Sequence, residues 1–258
     1  MKRIKRLVLL CLACSLLITP VAKAEGYNTT FANSQISAKH ISGISRRINK
    51  APRLIQTSWN YCASSLVFYD TKYKDGLAKY SWFNGISIDL DADSKAKMKY
   101  SDVFHEVGHH VAYTASYVVL GKQNESISDN YISKKYHCTL NQMLKREGKK
   151  YFKKVRKKTK SNKKAWRKIR KELRRYSDKY SYEVSDIWDG VSNGKAYAYC
   201  GHSIAADYPD YWDSTSVGCE AFADMYEASV VNKKGLKLIK KYFPKSYKIF
   251  LEELRLLK

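Results

Sequence analysis

The chain has 258 residues, with 48 Lys and Arg against 24 Asp and Glu, a formal charge of +24. Hydrophobic residues make up 44% and aromatics 13%, enough to fill a core, which excludes a fully disordered chain, a collagen or a coiled coil. The length suits one domain, or one domain carrying an elaboration.

The first two dozen residues have the three regions of a secretory signal. Lys2, Arg3, Lys5 and Arg6 form a basic start, Leu7 to Ile18 an apolar stretch, and Ala22-Lys23-Ala24 a small-x-small cleavage site before Glu25. The apolar run is short for a membrane anchor, so the expectation is a cleaved leader over 1–24, a bacterial exported protein, secreted or cell-surface-associated, and no integral membrane segment. Removing the leader takes away five positive charges and no negative ones, leaving +19. Cys62, Cys138, Cys200 and Cys219 remain, an even number in a chain addressed to an oxidising compartment, and two disulfides are expected among them.

A Ser, Asn and Thr-rich lead over 25–37 reads as flexible, with the folded domain beginning near residue 38. Arg53 to Tyr61 and Ser65 to Tyr69 read as strands or strand edges. Tyr80 to Leu90 alternates on either side of Asn84-Gly85, which predicts a two-residue β-hairpin. From Ser101 the pattern turns helical: Ser101 is a candidate N-cap, Asp102 lies in the first turn, and Val103, Phe104, Val107, Val111 and Ala112 line a helix to about Ser116.

Between about 123 and 182 lies a basic helical insertion. Lys145 to Arg175 alone holds 18 Lys or Arg and two Glu, a net +16 in 31 residues. Tyr151, Phe152, Val155, Trp166, Ile169 and Leu173 recur at three- and four-residue steps, which predicts two amphipathic helices broken near Thr159 to Asn162. The stretch reads either as a solvated helical excursion or as a surface for polyanions such as an anionic polymer or cell surface. Nothing in it supports recognition of a specific nucleic acid sequence.

His105-Glu106-Val107-Gly108-His109 fits H-E-x-x-H inside the predicted helix. Residues four apart share a helical face, so His105 and His109 can put two imidazole nitrogens on one Zn2+ ion while Glu106 faces the reacting water. His110 is rotated about 100° from His109 and should point away. A catalytic zinc needs a third protein ligand. The extended motif with a third histidine is excluded, since 112 and 115 are both Ala. Glu220, Asp224 and Glu227 share one face of a second predicted helix. Glu220 is the expected ligand and Asp224 the expected hydrogen-bond acceptor for a ligand histidine, with Asp224 or Glu227 as alternative ligands.

His105-Glu-Val-Gly-His109 followed by Glu220-Ala-Phe-Ala-Asp224 resembles the gluzincin-type zincin metallopeptidases, particularly the anthrax lethal factor catalytic domain and its secreted relatives. Phe243-Pro244-Lys245-Ser246-Tyr247 leading into Ile249 to Leu257 resembles their C-terminal end. Ser185-Asp186-Ile187, Gly201-His202-Ser203 and Tyr211-Trp212 resemble zincin-like domains of phage head proteins. The matches span roughly 80–120 and 183–257. The resemblance implies an α+β zincin-like fold with a small sheet, the motif helix and C-terminal helices over 38–258. It further implies one zinc per chain and Glu106 as general base. Tyr211 is the implied oxyanion donor, with His202 as its rival, and Ile86 and Ile88 lie on the implied substrate-binding edge strand.

The function so expected is a secreted zinc endopeptidase acting on a protein or peptide substrate. The alternative is a polyanion- or cell-surface-binding protein on an inactive zincin scaffold, acting through Lys145 to Arg175.

Overall fold

The computed structural model describes residues 36–70, 78–81, 85–88, 100–176, 178–196, 198, 212 and 216–258. The expected leader lies outside them, as does the lead up to residue 35. The last two residues of the lead are tied down: Ile36 is buried and the Ser37 hydroxyl accepts from the His40 amide, capping helix α1 (Ala38–Lys50).

Helix α2 spans Arg53–Cys62, where a strand was expected over Arg53 to Tyr61. The reason lies in the spacing. Ile55, Ser58, Trp59 and Cys62 recur at helical steps and are the residues α2 buries, and Pro52 sets the φ that opens a helix. After a short 3-10 turn at Ala63–Ser65, strand β1 covers Phe68–Asp70, within the second expected strand region at one end and beyond it at the other.

Strands β2 (Ala78–Ser81) and β3 (Gly85–Ile88) complete a three-stranded sheet of order β1-β3-β2. β2 and β3 are antiparallel, so the hairpin forms, but Ser81 pairs with Gly85 and the connection is 82–84. Gly85 is required for two reasons. Its φ is +87°, a region that L side chains rarely adopt. A Cβ there would also lie 2.3 Å from the Val67 carbonyl oxygen, which accepts from the Ile86 amide at 2.8 Å. β3 also pairs in parallel with β1, with Phe68 opposite Ile86. This corrects the expected substrate edge: the strand of Ile86 and Ile88 is central, with a neighbour on each side, and among the described residues the open edges belong to β1 and β2.

Helix α3 (Tyr100–Leu120) carries the motif, and helix α8 (Val217–Val230) is buried over nearly its whole length. Between them come α4 (Ile127–Asn130), α5 (Leu140–Thr159), α6 (Asn162–Leu173) and α7 (Asp178–Ser192). Helices α9 (Lys233–Tyr242) and α10 (Pro244–Leu254) close the chain. The architecture is α+β and rich in helix, with one continuous core running from Ile36 to Leu257. No helix among the described residues is long and apolar enough to cross a membrane.

The basic stretch does form two helices. A Thr139/Gln142 capping box opens α5, Lys160 closes it in the left-handed region at φ 55°, and Ser161 caps α6. They are not a solvated excursion. Leu140, Met143, Leu144, Val155, Ala165, Ile169 and Leu173 sit in the common core, and Phe152 stacks on Trp166 with ring centroids 3.9 Å apart. Like charges four apart along α5 oppose the helix by about 0.2–0.5 kcal/mol per pair. Each buried Leu or Val returns about 1.5–3 kcal/mol, so burial wins.

Candidate metal centre

Two helices build the site, and Gly108 lets them touch. A Cβ at this position would lie 2.6 Å from Ala223 Cα and 3.1 Å from the Ala223 carbonyl oxygen. Only glycine allows this approach, which places the histidine turn of α3 against the first two turns of α8. The start of α8 is fixed by Ser216, whose hydroxyl accepts from the amides of Gly218 and Cys219 at 3.1 and 3.3 Å.

His105 and His109 lie one turn apart, ring centroids 4.9 Å and planes 82° from each other. Their Nε2 atoms converge on the same Glu220 oxygen, Oε2, at 3.2 and 3.3 Å. Two imidazole nitrogens and one carboxylate oxygen thus lie within 4.8 Å of one another. The donor set could hold a divalent metal ion, and its three residues are the ligands expected from the sequence.

The other ring nitrogens are held from behind. His105 Nδ1 lies 3.3 Å from Asp224 Oδ1, as expected, and 3.8 Å from Glu227 Oε2. His109 Nδ1 lies 3.4 Å from Cys219 Sγ, which also donates to the Tyr113 hydroxyl at 3.9 Å. Each histidine therefore presents Nε2 to the ligand position and anchors Nδ1 elsewhere, the arrangement that orients metal-binding imidazoles.

The electrostatics follow. Burial pulls the His105 pKa down, but its hydrogen bonds to Asp224 and Glu220 more than offset this and hold it well above the ordinary value. For His109, burial is outweighed by the charges of Glu220 and Cys219. Burial raises the Glu220 pKa, yet the fields of His109 and His105 keep it well below the ordinary carboxylate range. Glu106 retains some exposure beside the site and accepts from the Tyr80 backbone amide; burial raises its pKa, against the pull of His109 and His105.

His110 points away, as expected, but into the core. Its Nε2 lies 3.0 Å from Ser65 Oγ and 3.2 Å from the Cys62 carbonyl, its Nδ1 lies 3.3 Å from the Tyr80 hydroxyl, and burial pushes its pKa down to about 4. Tyr80 escaped the sequence reading: its amide serves Glu106 and its hydroxyl reaches His110, joining β2 to the motif helix.

The cysteines need a correction. Cys62, Cys138 and Cys219 are buried free thiols, so the two disulfides expected from their even number do not form among the described residues. Each sulfur is committed to the interior: burial pushes the Cys62 thiol up to about 12, and Cys219 serves His109. Cys200, His202 and Tyr211 lie outside the described residues, as do the side chain of Ile88 and any oxyanion donor among them. Comparison with protein-family models, curated proteins and solved structures finds no match for this chain.

Proposed function

We propose that the protein is a secreted zincin-type zinc endopeptidase. The observation that carries this reading is the convergence of His105 Nε2, His109 Nε2 and one Glu220 oxygen beside Glu106. A zinc ion held by these three residues would supply Lewis acidity, lowering the pKa of water toward about 7 and polarising the scissile carbonyl. Glu106 takes the proton from the attacking water and passes it to the leaving amine. Asp224 and Cys219 hold the histidines in the tautomer that leaves Nε2 free. β2 is the edge along which a peptide adds as a further strand: its Tyr80 amide already touches Glu106, so a chain lying there brings its carbonyl to the base. The test is zinc per mole of purified mature protein, with hydrolysis of a peptide library alongside. Wild type should bind one zinc and cleave. Glu220→Ala should lose the zinc while remaining folded, and Glu106→Gln should keep the zinc and lose cleavage. Wild type that binds no zinc when supplied with it refutes the reading.

A second reading of the basic helices adds to the first. Two rows of exposed cations four residues apart, Lys145-Lys149-Lys153-Lys157 and Arg146-Lys150-Lys154-Lys158, run along α5, and Lys163-Arg167-Lys171 continue on α6. The two glutamates of the stretch do not offset them. Glu147 accepts from the Lys245 and Ser246 amides at the start of α10, and Glu172 accepts from Tyr151, Tyr242 and Lys241. With the apolar faces buried, the surface suits an anionic polymer and concentrates the peptidase on it.

A further inference from the structure

The motif helix ends in the open. α3 buries residues down to Ala115 and Ser116, and then Tyr117, Val118, Val119 and Leu120 are 47%, 49%, 36% and 37% exposed. Successive helical residues point about 100° apart, so exposure of all four leaves the last turn uncovered on every side. This end is well formed. The Gly121 amide donates to the Tyr117 carbonyl at 2.9 Å and the Lys122 amide to the Ser116 carbonyl at 3.3 Å, while Gly121 takes φ +68°, the left-handed conformation that closes helices. A Cβ on Gly121 would meet nothing within 4 Å, so the turn stands clear of the rest of the chain. Scattered apolar residues on a surface are ordinary, whereas a contiguous run marks a place that something else covers.

Shape and charge select the occupant. A single protruding turn offers far less than the roughly 800 Å² per partner of a stable protein interface, so a second copy is a poor fit, while fluid acyl chains close around a convex tip. The surrounding chain is basic. Glu125 is the one exposed acid between 100 and 135, and Lys122 Nζ donates to it at 3.1 Å and also to Asn130 at the end of α4. Asp129 is engaged by Asn141 and Ser216. The segment leaving α4 exposes Ile132 and then Lys134 and Lys135, on a chain that carries +19 without its expected leader. That charge draws the tip toward an anionic bilayer.

We propose that the end of α3 is a membrane-docking tip: Val118, Val119 and Leu120 enter the acyl region of an anionic bilayer, Tyr117 lies at headgroup level, and Lys134 and Lys135 meet the lipid phosphates. The contact is shallow, since one helical turn is about 5.4 Å, far short of a span. Leu120 lies eleven residues beyond His109, about 16 Å along the axis, so docking holds the metal centre close to the bilayer surface. The inference rests on neither reading above.

The test floats the whole mature protein with vesicles of phosphatidylglycerol and phosphatidylcholine, or of phosphatidylcholine alone. Binding is expected on the anionic vesicles and at least about tenfold less on the neutral ones. The double variant Val118→Ser, Leu120→Ser should lower the partition coefficient at least about tenfold, with Tm and zinc content as in wild type. Lys134→Gln and Lys135→Gln should each lower it about fivefold. In Val118→Trp the added fluorescence should be quenched by lipids brominated on their acyl chains, and this readout decides if the double variant fails to fold. Wild type that does not float with anionic vesicles overturns the proposal. So does a folded double variant that floats as well as wild type, which would place the binding in the basic helices alone. A wild-type dimer in sedimentation that the double variant loses would assign the tip to a second copy and overturns it too. Zinc content and peptide hydrolysis are measured without vesicles, so failure of the peptidase reading is seen separately.

Discussion

Replacing Gly108 by Ala tests the contact on which the metal centre depends. Viewed as an isolated helix change, Gly108→Ala should stabilise α3 by about 1 kcal/mol, because glycine is the poorer helix former. The structure reverses the sign. The new methyl would sit 2.6 Å from Ala223 Cα, 3.0 Å from Tyr226 Cβ and 3.1 Å from the Ala223 carbonyl oxygen, where carbon contacts are comfortable at about 3.5–4.0 Å. Two of these neighbours are backbone, so relief requires α3 and α8 to part by about 1 Å. Overpacking of this kind costs about 1–3 kcal/mol or more. Set against the helix gain, the net loss is up to about 2 kcal/mol, or a Tm lower by up to roughly 8 °C. The same movement carries Glu220 away from both histidines, and metal–ligand distances tolerate only about 0.2 Å. Zinc affinity, measured by competition with a chelating dye, should therefore fall at least about tenfold even where the variant remains folded. A Gly108→Ala protein that melts higher than wild type and binds zinc with unchanged affinity would refute the argument.

Other expectations follow from single contacts. Cys219→Ala should weaken zinc binding by about 10–100-fold, because an unanchored His109 ring loses its fixed orientation; Cys219→Ser should recover part of it, and unchanged affinity in Cys219→Ala would show that the sulfur does not position the ring. Glu253 is fully buried, neither carboxyl oxygen has a hydrogen-bond partner, and burial together with Asp129 and Glu252 raises its pKa well above the ordinary value. The native state then holds a proton that the unfolded state releases above the ordinary carboxylate pKa, so this group's contribution to stability is full at low pH and declines as pH rises. Glu253→Gln should raise Tm at pH 7 by a few degrees and flatten that decline, and chemical denaturation between pH 5 and 8 measures both; a Tm at pH 7 no higher than wild type refutes the assignment. Binding of a labelled single-stranded polyphosphodiester should weaken steeply with salt, and glutamine at Lys149, Lys150, Lys153 and Lys154 should reduce the log–log slope by about 3. The same number of changes among the exposed lysines of α9 should alter it less, and equal effects would place the binding in overall charge instead of the α5 face.

Much of the centre was legible before any coordinates because its chemistry is local. A four-residue spacing on a helix puts His105 and His109 on one face whatever surrounds them, the rotation of one residue turns His110 away, and alternation around Asn84-Gly85 calls for a hairpin. The break at Thr159 to Asn162 and the caps that flank it are also properties of a short stretch of chain. Glu220 could be nominated, ahead of Asp224 and Glu227, because helical spacing and the neighbouring Ala and Phe residues mark its face.

What the tertiary structure decided is whatever depends on partners distant in sequence. Helix over strand at Arg53–Cys62 was settled by the face that Ile55, Trp59 and Cys62 bury. The open edge passed from β3 to β2 because β1, earlier in the chain, pairs in parallel with β3, and no periodicity within a strand reports on which side a neighbour lies. Cys219 was read from the cysteine count as half of a disulfide; only the approach of α3 to α8 at Gly108 makes it the anchor of His109.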